Sequence, residues 1–201
     1  TQSKIKVIYP GLSTAFIPSG KVPQSNKAPY ILMVSTLEPR KNLVNLLQAF
    51  ALVKRQTGYE GYQLILIGKM GWKTESFEKA LQEHPFREDI VLPGYVDLAT
   101  LLAYYRNAEL VVYPSWYEGF GFPVLEGLAS GTKVVTGHNS SLPEVGGSFA
   151  YYCEVAQPED IARAIQTALK DDSYPFEAAQ THALQFNWTQ SAAQFIQIWR
   201  E

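Results

Sequence analysis

Two glutamates, Glu118 and Glu126, stand with seven residues between them, among which are Gly119, Gly121 and Pro123. A carboxylate accepts hydroxyl hydrogen bonds on both oxygens and so suits a sugar. The intervening Gly119, Phe120, Gly121, Phe122, Pro123, Val124 and Leu125 can bring the main chain close to a ligand, because glycine tolerates positive φ and Pro123 presets a first helical turn. The free N–H groups of such a turn, with the helix dipole behind them, form a place for an anion. A sugar, a phosphate and a second sugar would fit in a row, with an acid at each end. Spacing alone suits a plainer reading equally well: Glu126 as a dipole partner worth about 0.3 kcal/mol, and Glu118 as a solvated loop acid.

A second loop tips the balance. The stretch STLEPRKN (35–42) carries Arg40 and Lys41 at the mouth of a helix. A diphosphate bears about two negative charges, more than main-chain amides neutralise, and charge-assisted bonds from Arg and Lys are the usual remedy. Tyr95 in PGYVD (93–97) either lies against a flat base or covers a strand end. Gly68 and Lys69 in GKMGW (68–72) lie at another strand end and are candidates for the ligand's surroundings. Glu144, after Pro143 in SSLPEVGG (140–147), opens a short helix.

Other chemistries find no foothold. His84, His138 and His182 are scattered without metal-ligand spacing, and no Asp-x-Asp pair is present to hold a divalent metal on a diphosphate. No G-x-G-x-x-G follows the first strand, no G-x-x-x-x-G-K-[ST] loop occurs, and no serine lies in a G-x-S-x-G elbow. The expectation is therefore no metal and no dinucleotide cofactor.

These loops need elements to hold them. Apolar runs of strand length occur at 30–36, 62–68, 89–94, 109–114 and 132–137, unbroken as in strands covered on both faces. Helix-period segments lie between them. In 42–56, Leu43, Leu46, Leu47, Phe50 and Val53 form one stripe. Asp97 is an N-cap candidate for 98–108. Segment 122–130 has Pro123 in its first turn and Gly131 beyond its end, and 158–172 opens on Pro158 and two acids. Alternation of this kind predicts an α/β fold with a doubly wound, mostly parallel, Rossmann-like sheet, in which ligands bind beyond the carboxyl ends of the strands. Residues 1–29 read as a strand and a linker, 30–173 as the domain proper, and 174–201 as two further helices. Thr189 would cap the last of these, with Ala192, Phe195, Ile196 and Trp199 on its inner face.

The whole chain, 201 residues at 46% hydrophobic, is long enough to bury one sizeable core. A net charge of −2 excludes a broad nucleic-acid surface, so any anion site is local. The single cysteine, Cys153, sits in an apolar run and reads as a small buried hydrophobe in a reducing, cytoplasmic setting.

In STLEPRKNL, YPSWYEGFGFPVLEGLASGTKVV, SSLPEVGG, PGYVD and FNWTQSAAQF, the sequence resembles the retaining glycosyltransferases of family four, which have the GT-B fold, and specifically their C-terminal nucleotide-sugar-binding domain. The resemblance covers about residues 5 to 200. It implies that Glu126 grips the ribose, that Glu118 contacts the transferred sugar, that the amides of 121–125 approach sugar and phosphates, and that Arg40 and Lys41 clamp the departing diphosphate without a metal. Many members carry Gly-Arg where this chain has Ser35-Thr36, which puts the weight on Arg40 beside Lys41. The resemblance also implies a GDP- or UDP-hexose donor, with mannose favoured, and a glycan or lipid-linked acceptor. The acceptor domain would precede residue 1, and any peripheral membrane docking would run through it. The rival expectations are a stand-alone nucleotide-sugar-binding module and half of a GT-B sugar-nucleotide epimerase.

Overall fold

The computed structural model describes residues 5–17 and 28–200. Its centre is a six-stranded parallel sheet made of β1 (Tyr30–Val34), β2 (Gln63–Ile67), β3 (Ile90–Gly94), β4 (Leu110–Tyr113), β5 (Val134–Gly137) and β6 (Ala150–Cys153). The strands lie in the order β3-β2-β1-β4-β5-β6, each pairing in parallel with its neighbour. Helices follow the strands: α1 (Leu43–Lys54), α2 (Glu75–Gln82), α3 (Leu98–Asn107), α4 (Phe122–Ala129), α5 (Leu142–Gly146) and α6 (Pro158–Lys170), then α7 (Phe176–Leu184) and α8 (Trp188–Arg200). The doubly wound sheet is the architecture expected from the alternating pattern.

The apolar runs are buried because helices cover both faces. Ile31, Leu32, Met33, Leu64, Leu66, Leu110, Val111 and Val112 are withdrawn from solvent. Each contributes roughly 1.5–3 kcal/mol by leaving water. The α1 stripe Leu43, Leu46, Leu47, Phe50 and Val53 packs into the same core. Two elements escaped the sequence pattern. In β6 the tyrosines Tyr151 and Tyr152 stay partly exposed at a sheet edge, so the run is not uniformly apolar in its surroundings. In α2 only Phe77 and Leu81 are buried, one turn apart among charged neighbours.

The order of strands places the site. The chain winds outward from β1 through β2 to β3, then returns to lay β4 on the other side of β1. At such a reversal the loops after the two adjacent strands diverge and leave a crevice. The loops after β1 and β4 are 35–42 and 114–121.

Three sequence expectations change. Residues 5–13 form no strand, since the described residues offer them no partner strand; a 3-10 turn follows at Thr14–Phe16. Asn187 rather than Thr189 caps α8, its Oδ1 accepting from the Gln190 amide at 2.9 Å, because the helix starts two residues earlier than the periodicity suggested. The α8 face bearing Phe195, Ile196 and Trp199 is exposed rather than inward. Helical periodicity tells which residues share a face, not whether the chain supplies a cover. The helix is tied to the body near its start, where Ser191 Oγ donates to the Tyr9 carbonyl at 2.6 Å. The linker expectation falls partly on residues 1–4 and 18–27, outside the described residues. Among the described residues no helix is long and apolar enough to cross a membrane.

Candidate functional site

The first loop leaves β1 and makes a short 3-10 turn, Pro39–Lys41, that ends on Asn42 in the left-handed region at φ 59°. Asparagine is among the few residues that tolerate this conformation. Here it also anchors: Nδ2 of Asn42 donates to the carbonyls of Pro114, at 3.1 Å, and Val155, at 2.6 Å. The turn is thus fixed to the ends of β4 and β6. Arg40 and Lys41 consequently face the β4 loop.

The second loop brings Glu118 to meet them. Its Oε1 lies 2.6 Å from Lys41 Nζ and its Oε2 2.8 Å from Arg40 Nη1. Lys41 is buried and also donates to the Tyr113 hydroxyl at 2.6 Å. Arg40 is more exposed. Its Nε and Nη2 fork onto Glu38 Oε1, at 3.1 and 2.8 Å, and its Nη1 donates to the Tyr117 carbonyl at 2.8 Å. Trp72 Nε1 holds the other Glu38 oxygen at 3.0 Å. Burial alone would raise the Glu118 pKa, but the Lys41 and Arg40 cations outweigh it and hold the carboxyl below the usual range. Glu118 is therefore an ion-paired carboxylate between two cations, not a solvated loop acid.

The third loop, after β5, braces the second. Ser140 Oγ accepts from the Glu118 amide at 3.1 Å, and Ser141 Oγ donates to the carbonyls of Glu118, at 3.0 Å, and Phe120, at 2.7 Å. The chain then enters α4 through Gly121 at φ 109°, where a Cβ would also come within 2.9 Å of Leu142 Cδ2. Both facts select glycine. The amides of Val124 and Leu125 bond to the Gly121 carbonyl, Pro123 has no N–H, and the side chains of Val124 and Leu125 face the core. Among the described residues, the amides of Gly119, Phe120, Gly121 and Phe122 have no main-chain acceptor. Of the 121–125 amides that the resemblance implied, those of Val124 and Leu125 are engaged inside the turn, and those of Gly121 and Phe122 have no main-chain acceptor among the described residues. Phe120 and Phe122 pack edge to face, their centroids 4.9 Å apart.

Glu126 lies one turn into α4, half-buried, with Oε2 accepting from the Tyr105 hydroxyl at 2.7 Å. Burial raises its pKa, and the bond from Tyr105 opposes that only in part. Lys69 and Tyr95 lie on the rim beyond β2 and β3, Lys69 Nζ 5.1 Å from the exposed Tyr95 ring. Gly68 has an internal reason to be glycine, since a Cβ there would meet the Ser35 carbonyl oxygen at 1.8 Å. The structure therefore brings Arg40, Lys41, Glu118 and the Gly119–Phe122 amides together, and leaves Gly68, Lys69 and Tyr95 on the adjoining rim.

Sequence reasoning missed Glu38, Asn42, Tyr105, Tyr113, Ser140 and Ser141. Position flagged some of them, since Glu38, Asn42, Ser140 and Ser141 follow strand ends. Tyr105 carries no such signal, because it sits in the last turn of α3. The histidines are structural or superficial: His84 Nε2 meets the Leu47 carbonyl at 2.9 Å, His182 Nε2 the Val145 carbonyl at 2.8 Å, and His138 is exposed beside Tyr152. Cys153 is buried, and burial pushes its thiol up to about 12. Among the described residues no three His, Cys, Asp or Glu side chains cluster as a metal set.

Comparison with known proteins places this geometry in context. The O-antigen chain mannosyltransferase B of Escherichia coli is 36% identical over 174 residues, which is 85% of this chain and 45% of that protein. The chain thus spans less than half the length of that curated relative. Among solved structures, a glycosyltransferase from Rickettsia africae superposes with a TM-score of 0.85 at 19% identity, over 100% of this chain and 57% of the other. Anabaena HepE, solved with UDP and glucose, gives 0.82 at 18% identity, over 98% and 56%. The model of the family described as "Glycosyl transferases group 1" matches residues 19–183, and with most of its length so matched this chain belongs to the group 1 glycosyl transferases.

Proposed function

We propose that the chain is the donor-binding unit of a retaining, metal-independent hexosyltransferase that takes a hexose, mannose favoured, from a GDP- or UDP-sugar. The observation that carries this reading is the convergence of Arg40, Lys41 and Glu118 beside four consecutive amides, Gly119–Phe122, that have no main-chain acceptor among the described residues, at the reversal of strand order. A diphosphate laid on those amides meets Arg40 on its other side. The negative charge that develops on it as the sugar departs is then met by cations and dipoles already in place. The mannosyltransferase relative supports the sugar, and the UDP and glucose bound by HepE support the donor class.

In this reading Glu118 does two things in sequence. Without donor it neutralises Lys41 and Arg40. As the diphosphate arrives, Arg40 turns to the phosphates. Glu118 stays on the buried Lys41 and offers its Oε2 to the hydroxyls of the sugar. Glu126 takes the ribose hydroxyls at the far end. The acceptor binds on the part of the longer relatives that this chain does not span.

The test is a thermal-shift panel of nucleotides and nucleotide sugars, paired with a transfer assay using radiolabelled donors. A ligand that binds only the folded state raises the melting temperature by mass action. GDP- or UDP-hexoses should raise it and adenine nucleotides should not, while the chain alone transfers nothing measurable. No shift with any sugar nucleotide would overturn the reading.

A further inference from the structure

Glu126 is held from behind by one phenol. The Tyr105 hydroxyl donates to Oε2 at 2.7 Å, while no described residue donates to Oε1. One oxygen is thus committed inward, and the other is left for something outside the protein.

The phenol cannot easily do otherwise. Tyr105 is fully buried in the last turn of α3. Its ring meets Phe16 edge to face, with centroids 5.5 Å apart and planes at 84°. Its main-chain carbonyl accepts from Thr132 Oγ1 at 2.6 Å. A tyrosine held in this way has one proton to donate, and Glu126 is the acceptor. Burial alone disfavours the charged carboxylate, and the hydrogen bond from Tyr105 works against that penalty. The same bond narrows the rotamers open to a glutamate otherwise free to swing on three torsions.

We propose that Tyr105 is a positioning residue for nucleotide recognition: by taking Oε2 of Glu126 it aims Oε1 at the ribose hydroxyls of the donor. The proposal rests on the reading of Glu126 as the ribose acceptor. Tyr105 touches no substrate itself. Its effect should therefore appear only where a ribose hydroxyl is present to be gripped, which separates positioning from a general contribution to folding.

The experiment is a calorimetric titration of the full chain, native and Tyr105→Phe, with GDP and UDP and with their 2′,3′-dideoxy counterparts. Native protein should bind the ribose forms more tightly than the dideoxy forms. In Tyr105→Phe the ribose forms should weaken by about 3- to 10-fold, the range of one hydrogen bond, while the dideoxy forms change little. A variant that loses affinity equally for both sets, or that keeps the native discrimination, overturns the positioning role. Native protein that does not discriminate overturns the ribose assignment of Glu126, and the inference with it. Should Tyr105→Phe not fold, tyrosine-Cζ carbon NMR of the native chain decides instead. The Tyr105 signal should move with GDP or UDP and stay in place with the dideoxy forms, and equal movement with both would overturn the role.

Discussion

Two acids in one motif live under opposite electrostatic conditions, and substitution should separate them. Glu118 has two cations at hydrogen-bond distance, and they hold its pKa below the usual range against the effect of burial. A depressed carboxylate contributes stability that is fully present above its unfolded pKa of about 4.3 and lost as pH falls through the lower folded value. Glu118→Gln leaves the buried Lys41 ammonium without its counter-charge. It should cost about 3 kcal/mol in chemical denaturation at pH 7. Its stability should also fall less steeply than the native below about pH 4, since the responsible group is gone. Glu126 is the reverse case. Burial raises its pKa, so its stabilising contribution belongs to the protonated form, present below the unfolded pKa and lost as pH rises through the folded one. Glu126→Gln should therefore raise the melting temperature slightly at pH 7 while weakening nucleotide binding, a divergence read by calorimetry on one sample.

At the scale of elements, the turn after β1 decides where the cations point, and Asn42 holds that turn. It combines positive φ with two buried bonds to the Pro114 and Val155 carbonyls. Asn42→Ala loses both and should cost about 2–4 kcal/mol. Asn42→Gly relieves the φ but not the lost bonds, so it should recover part of the stability and little of the nucleotide affinity. Denaturation and titration of the two variants side by side test this division. Equal recovery of both properties would mean that backbone conformation alone matters. The positions of β1–β5, the α1 stripe and the cap at Asp97, which receives the Thr100 amide at 2.8 Å, were all legible in the sequence. They follow from local periodicity and short-range bonding. Asn42 was not, because its partners lie 72 and 113 residues away.

For the molecule as a whole, strand order matters more than any motif. Alternating helices and strands predict a parallel sheet but leave its order open. The reversal at β1 is what sets loop 35–42 against loop 114–121. The residues that face each other were legible from their positions after strands. What was hidden is that Glu118, read from sequence as a sugar contact, has both oxygens on cations. Also hidden was that the amides of Val124 and Leu125 are used inside the helix turn while those of Gly119–Phe122 are not. Such facts depend on which groups the fold has satisfied already. The exposed Phe195, Ile196 and Trp199 on α8 make the same point, since an apolar stripe is a local property and its cover is a global one.

The most direct measurement is calorimetric titration of GDP, UDP and the free nucleosides into native protein and Arg40→Ala. If Arg40 and the Gly119–Phe122 amides hold the diphosphate between them, Arg40→Ala weakens GDP or UDP by about 10- to 100-fold, as expected for a lost charge-assisted bond, and leaves nucleoside affinity unchanged. An Arg40→Ala protein that binds the diphosphates as tightly as the native chain would contradict it.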